Sequence, residues 1–323
     1  MNRLFRTLTV LTIAAALALP ATAKDDSLSL VPADAVTVGM VRLADMRTSP
    51  LSSVLFEHVD QMSMDGEGEK FLLEAGIQPH RDVDVLVVAT SPRTTLGSEP
   101  NLLAIAEGRF QPERLAAALI ARGAVKKGAY IVFQEATPSD GETGAVAFLS
   151  PSLAIAGNER SVVNALAARA NGGTGFATRG ALAMDLARID RAATAWAIID
   201  VPRAARLARG GTVNTGSGQA GAVLQSALKS VSTVAMWATD TGDSLQLNAT
   251  GLSNDPETLE LLEDALRGAL AALRIAASEK APDMVSVLRR FDVDRNSESI
   301  SVQGTIPASQ IRDLMAKRLA TLK

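Results

Sequence analysis

Short apolar runs of about four to eight residues recur along the chain, divided by Gly, Pro, Ser and Asp, with longer stretches of helical spacing between them. Strands are expected at residues 36–43, 85–90, 102–108, 129–135, 145–149 and 153–156, and again at 194–201, 234–239, 245–251, 291–294 and 299–305. Leu51, Val54, Leu55, Val59 and Met62 follow the helical period after Thr48-Ser49-Pro50, and a shorter helical piece covers 71–75. Further helices are expected at 112–122, 160–170, 182–189, 202–207, 222–230, 256–277, 283–290 and 307–319. Gly123 sits where a helix-ending glycine belongs, and Pro112 and Pro256 where a helix-opening proline does.

One arrangement occurs twice. Val85-Leu86-Val87-Val88-Ala89-Thr90, a turn, Leu102-Leu103-Ala104-Ile105-Ala106-Glu107-Gly108 and Gln111-Pro112-Glu113 are matched by a second set. That set is Val234-Ala235-Met236-Trp237-Ala238-Thr239, Leu245-Gln246-Leu247-Asn248-Ala249-Thr250-Gly251 and Asp255-Pro256-Glu257. Gly251 follows Gly108 by 143 positions, Thr239 follows Thr90 by 149, Gly304 follows Gly157 by 147, and Trp196 follows Val38 by 158. Four matches in the same order predict an internal duplication, with residues 24–175 and 176–323 as the repeats and Asn171-Gly172-Gly173-Thr174-Gly175 as the boundary. Each half reads βαββαβ. The expected fold class is therefore α+β: two related ferredoxin-like halves with extra strands and a terminal helix each, and helices on one face of mainly antiparallel sheets. Whether the two sheets pack side by side or join is open at this stage.

The ends and the composition narrow the setting. Arg3 and Arg6, the apolar stretch 8–19 and Pro20-Ala21-Thr22-Ala23 predict a signal peptide of residues 1–23 cut after Ala23. No later stretch is long and apolar enough for a membrane span, so the expected location is periplasmic or extracellular. Removal of Arg3 and Arg6 takes the net charge from −3 to about −5, which offers no footprint for nucleic acid. The chain has no cysteine, excluding disulfides, thiolate nucleophiles and cysteine-held metals. Aromatics make up 3% of residues, with Trp196, Trp237 and Tyr130 the only Trp and Tyr, which argues against base-stacking and sugar-stacking clefts.

Several short motifs invite a chemical reading. Gly216-Ser217-Gly218-Gln219-Ala220-Gly221 spells GxGxxG but follows no strand, as a dinucleotide site requires. Ser226-Ala227-Leu228-Lys229 spells SxxK without the Lys-Thr-Gly partner of penicillin-recognising enzymes. Asp292-Val293-Asp294-Arg295-Asn296 opens like a calcium loop, yet Ser297 stands where Gly is needed and Gln303 where Glu is needed, and a hairpin is expected instead. His58 belongs to the 51–62 helix beside its apolar face, and His80 to a loop in Gln78-Pro79-His80-Arg81-Asp82. Arg109 and Glu113 flank the first Gly-Pro-Glu turn, but Leu252 stands near the arginine position in the second copy. These readings assign no catalytic, cofactor-binding or metal-binding residue.

From the leader through Val31-Pro32-Ala33-Asp34-Ala35, the two strand-Gly-Pro-Glu-helix units and Val302-Gln303-Gly304, the chain resembles exported bacterial proteins of unknown function with a duplicated α+β domain. The resemblance implies no site residues. The expected function is an exported, non-enzymatic binding or scaffolding protein of the cell envelope, its partner an unknown envelope protein or small ligand. A periplasmic hydrolase with an unrecognised site and a carrier of small apolar ligands are the alternatives.

Overall fold

Alternating apolar residues demand two packed faces or one packed and one wet face, and this chain meets that demand with one sheet. The computed structural model describes residues 27–49, 51, 76–92, 100–134, 143–207 and 231–313. Among them, the strands are β1 (Thr37–Arg42), β2 (Val83–Ser91), β3 (Asn101–Gly108), β4 (Val125–Lys127), β5 (Tyr130–Gln134) and β6 (Thr143–Ser150). They continue with β7 (Leu153–Asn158), β8 (Ala195–Asp200), β9 (Thr233–Asp240), β10 (Ser244–Leu252), β11 (Phe291–Arg295) and β12 (Ser299–Pro307). The sheet runs β11-β12-β10-β9-β8-β1-β2-β3-β7-β6-β5-β4, with antiparallel pairing at each junction.

The order is mirrored about the β1–β8 junction: outward from β1 come β2, β3, β7 and β6, and outward from β8 come β9, β10, β12 and β11. It differs from the ferredoxin-like arrangement expected from sequence. In a split βαβ unit the two strands joined by the helix are parallel and hold a third between them, whereas β1 pairs directly and antiparallel with β2 from Thr37↔Thr90 to Arg42↔Val85. The order of elements along a chain does not encode which strands become neighbours.

The helices are α1 (Leu43–Thr48), α2 (Pro79–Asp82), α3 (Pro112–Ala121), α4 (Glu159–Ala170), α5 (Phe176–Arg179), α6 (Ala183–Leu186), α7 (Val201–Leu207), α8 (Pro256–Lys280) and α9 (Pro282–Leu288). They lie on both faces of the sheet, correcting the one-face expectation. Val162 and Ala165 of α4, Phe176 of α5 and Leu186 of α6 join Val38, Val87, Ile105, Ile155 and Ile198 in the largest core. On the opposite face, Leu115 and Leu119 of α3 pack with Ile131 and Val146, and Leu259 and Leu262 of α8 with Val293 and Ile300. The cause is legible in β6, where Ala145 and Ala147 feed one core and Val146 the other, so both faces of that strand are buried.

Cross-strand pairing does not keep the Gly157–Gly304 match. Leu103 pairs with Gly157, while Gln246, 143 positions after Leu103, pairs with Thr305. At the 143-position offset of the two hairpins, Gly157 falls opposite Thr305 and not Gly304, and a one-residue difference turns a strand's side chains to the other face. Followed across the sheet, one row of partners reads Ile105, Val87, Met40, Trp196, Trp237, Asn248, Gln303, Asp292, apolar up to Trp237 and polar beyond it. The strand sets on the two sides of the β1–β8 junction share an order but not a face chemistry.

At the β1–β8 junction Val38, Met40, Trp196 and Ile198 are all buried, each worth about 1.5–3 kcal/mol of apolar transfer. Ile198→Ala is expected to lower unfolding free energy by about 2–5 kcal/mol without changing far-UV circular dichroism, as read from urea denaturation.

Candidate anion-binding site

The end of β3 rests directly on α2. A Cβ at Gly108 would stand 2.0 Å from the Asp82 carbonyl oxygen, so only glycine fits. The next residues lock the approach: Arg109 N donates to Asp82 O at 2.8 Å, Gly108 N to Ser152 O at 2.9 Å and Phe110 N to Pro151 O at 2.8 Å. The entries to β2, the exit of β3 and the turn before β7 are thereby held at one point, from which Gln111 and Pro112 open α3.

This clamp brings Arg81, Asp82 and Arg109 together around a cavity of about 340 Å³, completed by Gly76, Phe110 and Gln111. Asp82 is 8% exposed. Its Oδ1 accepts from Arg81 Nε at 3.0 Å and its Oδ2 from Gln78 N at 2.8 Å. Arg109 Nη2 donates to Arg81 O at 2.6 Å. Burial opposes ionisation of Asp82, but the Arg81 hydrogen bond, the Gln78 amide and the charges of Arg81 and Arg109 outweigh it and hold the carboxyl below its usual range. Phe110 forms an apolar wall, its ring 6.1 Å from that of Phe148. The Arg114 guanidinium lies against Gly76, where a Cβ would approach it to 2.8 Å. Gln111 caps α3 without a side-chain hydrogen bond, which leaves the positive end of the helix beside the cavity.

Arg81 and Arg109 thus line one space, and the one carboxylate among its described lining residues is already engaged and ionised. Such a cavity suits an anionic group, a carboxylate or phosphate, taken by charge-assisted hydrogen bonds. An ionised Asp82 with a lowered pKa is a poor proton acceptor, which disfavours general-base chemistry here.

A second polar cluster works as a fastening. Glu159 Oε1 accepts from Lys127 Nζ at 2.8 Å and Tyr130 OH at 3.1 Å, and Oε2 from Thr143 Oγ1 at 2.7 Å, tying the β4–β5 hairpin to the start of α4. The Lys127 and Thr143 hydrogen bonds lead in lowering the Glu159 pKa, while desolvation leads in raising that of Tyr130, leaving neither poised as a base near neutrality. A smaller cavity of about 190 Å³ lies among Asp34, Ser91, Asn101, Arg160, Asn164 and Thr174.

The residues singled out from sequence fare differently. Asp292 and Asp294 alternate along β11 in the expected hairpin, where Gln303 Nε2 donates to Asp294 Oδ2 at 2.8 Å and Asn296 Oδ1 accepts from the Glu298 and Ser299 amides. Arg109 stands at the cavity. His80 falls within α2, in place of the expected loop. The GxGxxG and SxxK segments, His58 and the leader lie outside the described residues. In sequence, Arg81 and Asp82 are marked only as neighbours of His80. Their meeting with Arg109, 28 positions after Arg81, depends on β2–β3 pairing.

No protein-family model and no curated protein matches the chain. Among solved structures it is similar to TP0453. Crystal form IV of that protein gives a TM-score of 0.47 at 11% identity, covering 90% of this chain and 96% of that one. Crystal form III gives 0.46 at 9% identity, covering 90% and 98%, and form I gives 0.44 at 8%, covering 91% and 98%. No helix among the described residues is long and apolar enough to cross a membrane.

Asp82→Asn is expected to lower stability by about 1–3 kcal/mol at pH 7. Because the folded pKa of Asp82 is lowered, its contribution is full above the unfolded value near 3.9 and is lost as pH falls through the folded value. Urea midpoints of the two proteins should therefore converge below about pH 4.

Proposed function

We propose that the chain is an exported, non-enzymatic binding protein of the cell envelope that holds an anionic group of its ligand or partner between Arg81 and Arg109. The observation that carries this reading is the 340 Å³ cavity, lined by two arginines, in which the one carboxylate among the described lining residues is held by Arg81 and the Gln78 amide. The leader of residues 1–23 supports export. The mirrored strand order supports residues 24–175 and 176–323 as repeats of one unit. Among the described residues the cavity is seen in the first repeat, and Leu252 stands near the Arg109 position in the second. Divergence after duplication then placed recognition in one repeat and left the other for a different role.

Calorimetric titration of the purified protein with inorganic phosphate and with acetate should detect binding that weakens as salt rises. Arg81→Ala and Arg109→Ala should each weaken it about tenfold or more, with circular dichroism unchanged. Undetectable binding of both anions, or binding indifferent to both substitutions, contradicts the reading. Intact-mass measurement of the protein from an envelope fraction should give a chain beginning at Lys24; a mass that retains residues 1–23 contradicts cleavage.

A further inference from the structure

α8 is 25 residues long, while α3, which follows β3 as α8 follows β10, is 10. Its inward side is accounted for by Leu259, Leu262, Leu266 and Leu270, packed with Val293 and Ile300. A second row, Leu261, Ala265, Gly268, Ala272 and Ile275, recurs in steps of four and three and so forms one stripe on the outward side. Leu261 is 69% and Ile275 65% exposed. A surface helix needs one apolar stripe, and the fold uses the other one.

Gly268 stands at the middle of the outward stripe. Glycine is disfavoured against alanine inside a helix, and a Cβ here would meet nothing within 4 Å. Among the described residues nothing uses the missing side chain. Small residues flanked by large apolar ones let a second helix approach closely, and that outside neighbour gives the glycine a purpose.

The charges say which neighbour. Glu257, Asp264 and Glu279 border the stripe, are exposed, and take no ion pair with another described residue. The basic Arg267 and Arg274 are turned away, bonding to Val293 O and to Leu288 O and Phe291 O. An acidic rim repels an anionic lipid surface. A second copy laid antiparallel about Gly268 would set Glu257 against Glu279 of the other chain. We infer that the outward stripe of α8 is a docking surface for a partner protein's amphipathic helix whose apolar seam is bordered by Lys or Arg. This goes beyond the anion site and involves none of its residues.

The full-length protein is titrated with a synthetic helical peptide of about three heptads, with a Leu/Ala seam and Lys borders, and with the same peptide bordered by Glu. The Lys peptide should bind and the Glu peptide should not. Gly268→Ala should raise the urea midpoint yet weaken peptide binding several-fold, opposite signs that a purely structural glycine does not produce. Gly268→Leu should abolish binding with circular dichroism intact, since a Cβ there meets no described atom within 4 Å, and Asp264→Lys should weaken it without altering stability. Failure of the Lys peptide to bind, or unchanged affinity in both Gly268 variants, overturns the proposal. So does concentration-dependent dimerisation, or binding to vesicles of anionic lipid, that Gly268→Leu removes.

Discussion

The antiparallel pairing of β1 with β8 is the constraint on which the rest of the structure depends. Five residue pairs, Thr37↔Ile199 to Val41↔Ala195, join two strand sets that would otherwise each expose a long, apolar inner edge. Beyond the ladder, Asp200 N donates to Val36 O and Arg42 N to Thr194 O, both at 2.8 Å, and Arg203 Nη2 reaches Asp34 O at 2.6 Å. With the join made, only β4 and β11 remain as edges among the described strands. β4 is three residues long with Lys126 and Lys127, and β11 carries Asp292, Asp294 and Arg295, so both resist further pairing.

A shared backbone plan leaves room for different surfaces. On one face, the positions filled by Leu103 and Ile105 in β3 are taken by Gln246 and Asn248 in β10, and the core ends near Trp237. On the other face, α3 and α8 follow matching strands, but α3 begins beside a cationic cavity and α8 begins at an Asp255 cap that accepts from Glu257 N at 3.1 Å and Thr258 Oγ1 at 2.6 Å. The start of α8 is occupied by its Asp255 cap, while its added length carries a second apolar stripe. The differences between the halves, and not their common frame, hold the candidate chemistry.

Much of the frame was legible because strand and helix periods are local properties. The apolar runs at 36–43, 102–108 and 194–201 became β1, β3 and β8 with small boundary shifts. β4 escaped notice since Val125-Lys126-Lys127 is wholly exposed and has no alternation. The α1 segment was missed because Arg47 draws it onto β2, donating to Val83 O and to Asp84 Oδ1 at 2.7 Å, a tertiary cause with no local period. Strand neighbours, faces and register are non-local, which is why the ferredoxin-like order, the single helical face and the Gly157–Gly304 match did not survive. The cavity failed to register for the same reason: Arg81 and Arg109 are far apart in sequence and meet only because Gly108 lets β3 end against Asp82.

The account stands or falls on the halves forming one cooperative sheet. Native-state hydrogen exchange resolved by residue measures this most directly, through the opening free energies of Asp200 N and Arg42 N at the junction and of buried amides in β3 and β10. One sheet predicts that the most protected amides of both halves and of the junction share a single opening free energy equal to that of global unfolding. A set in β9, β10 and β12 that opens at a clearly lower free energy, while β2, β3 and β7 stay closed, would contradict it.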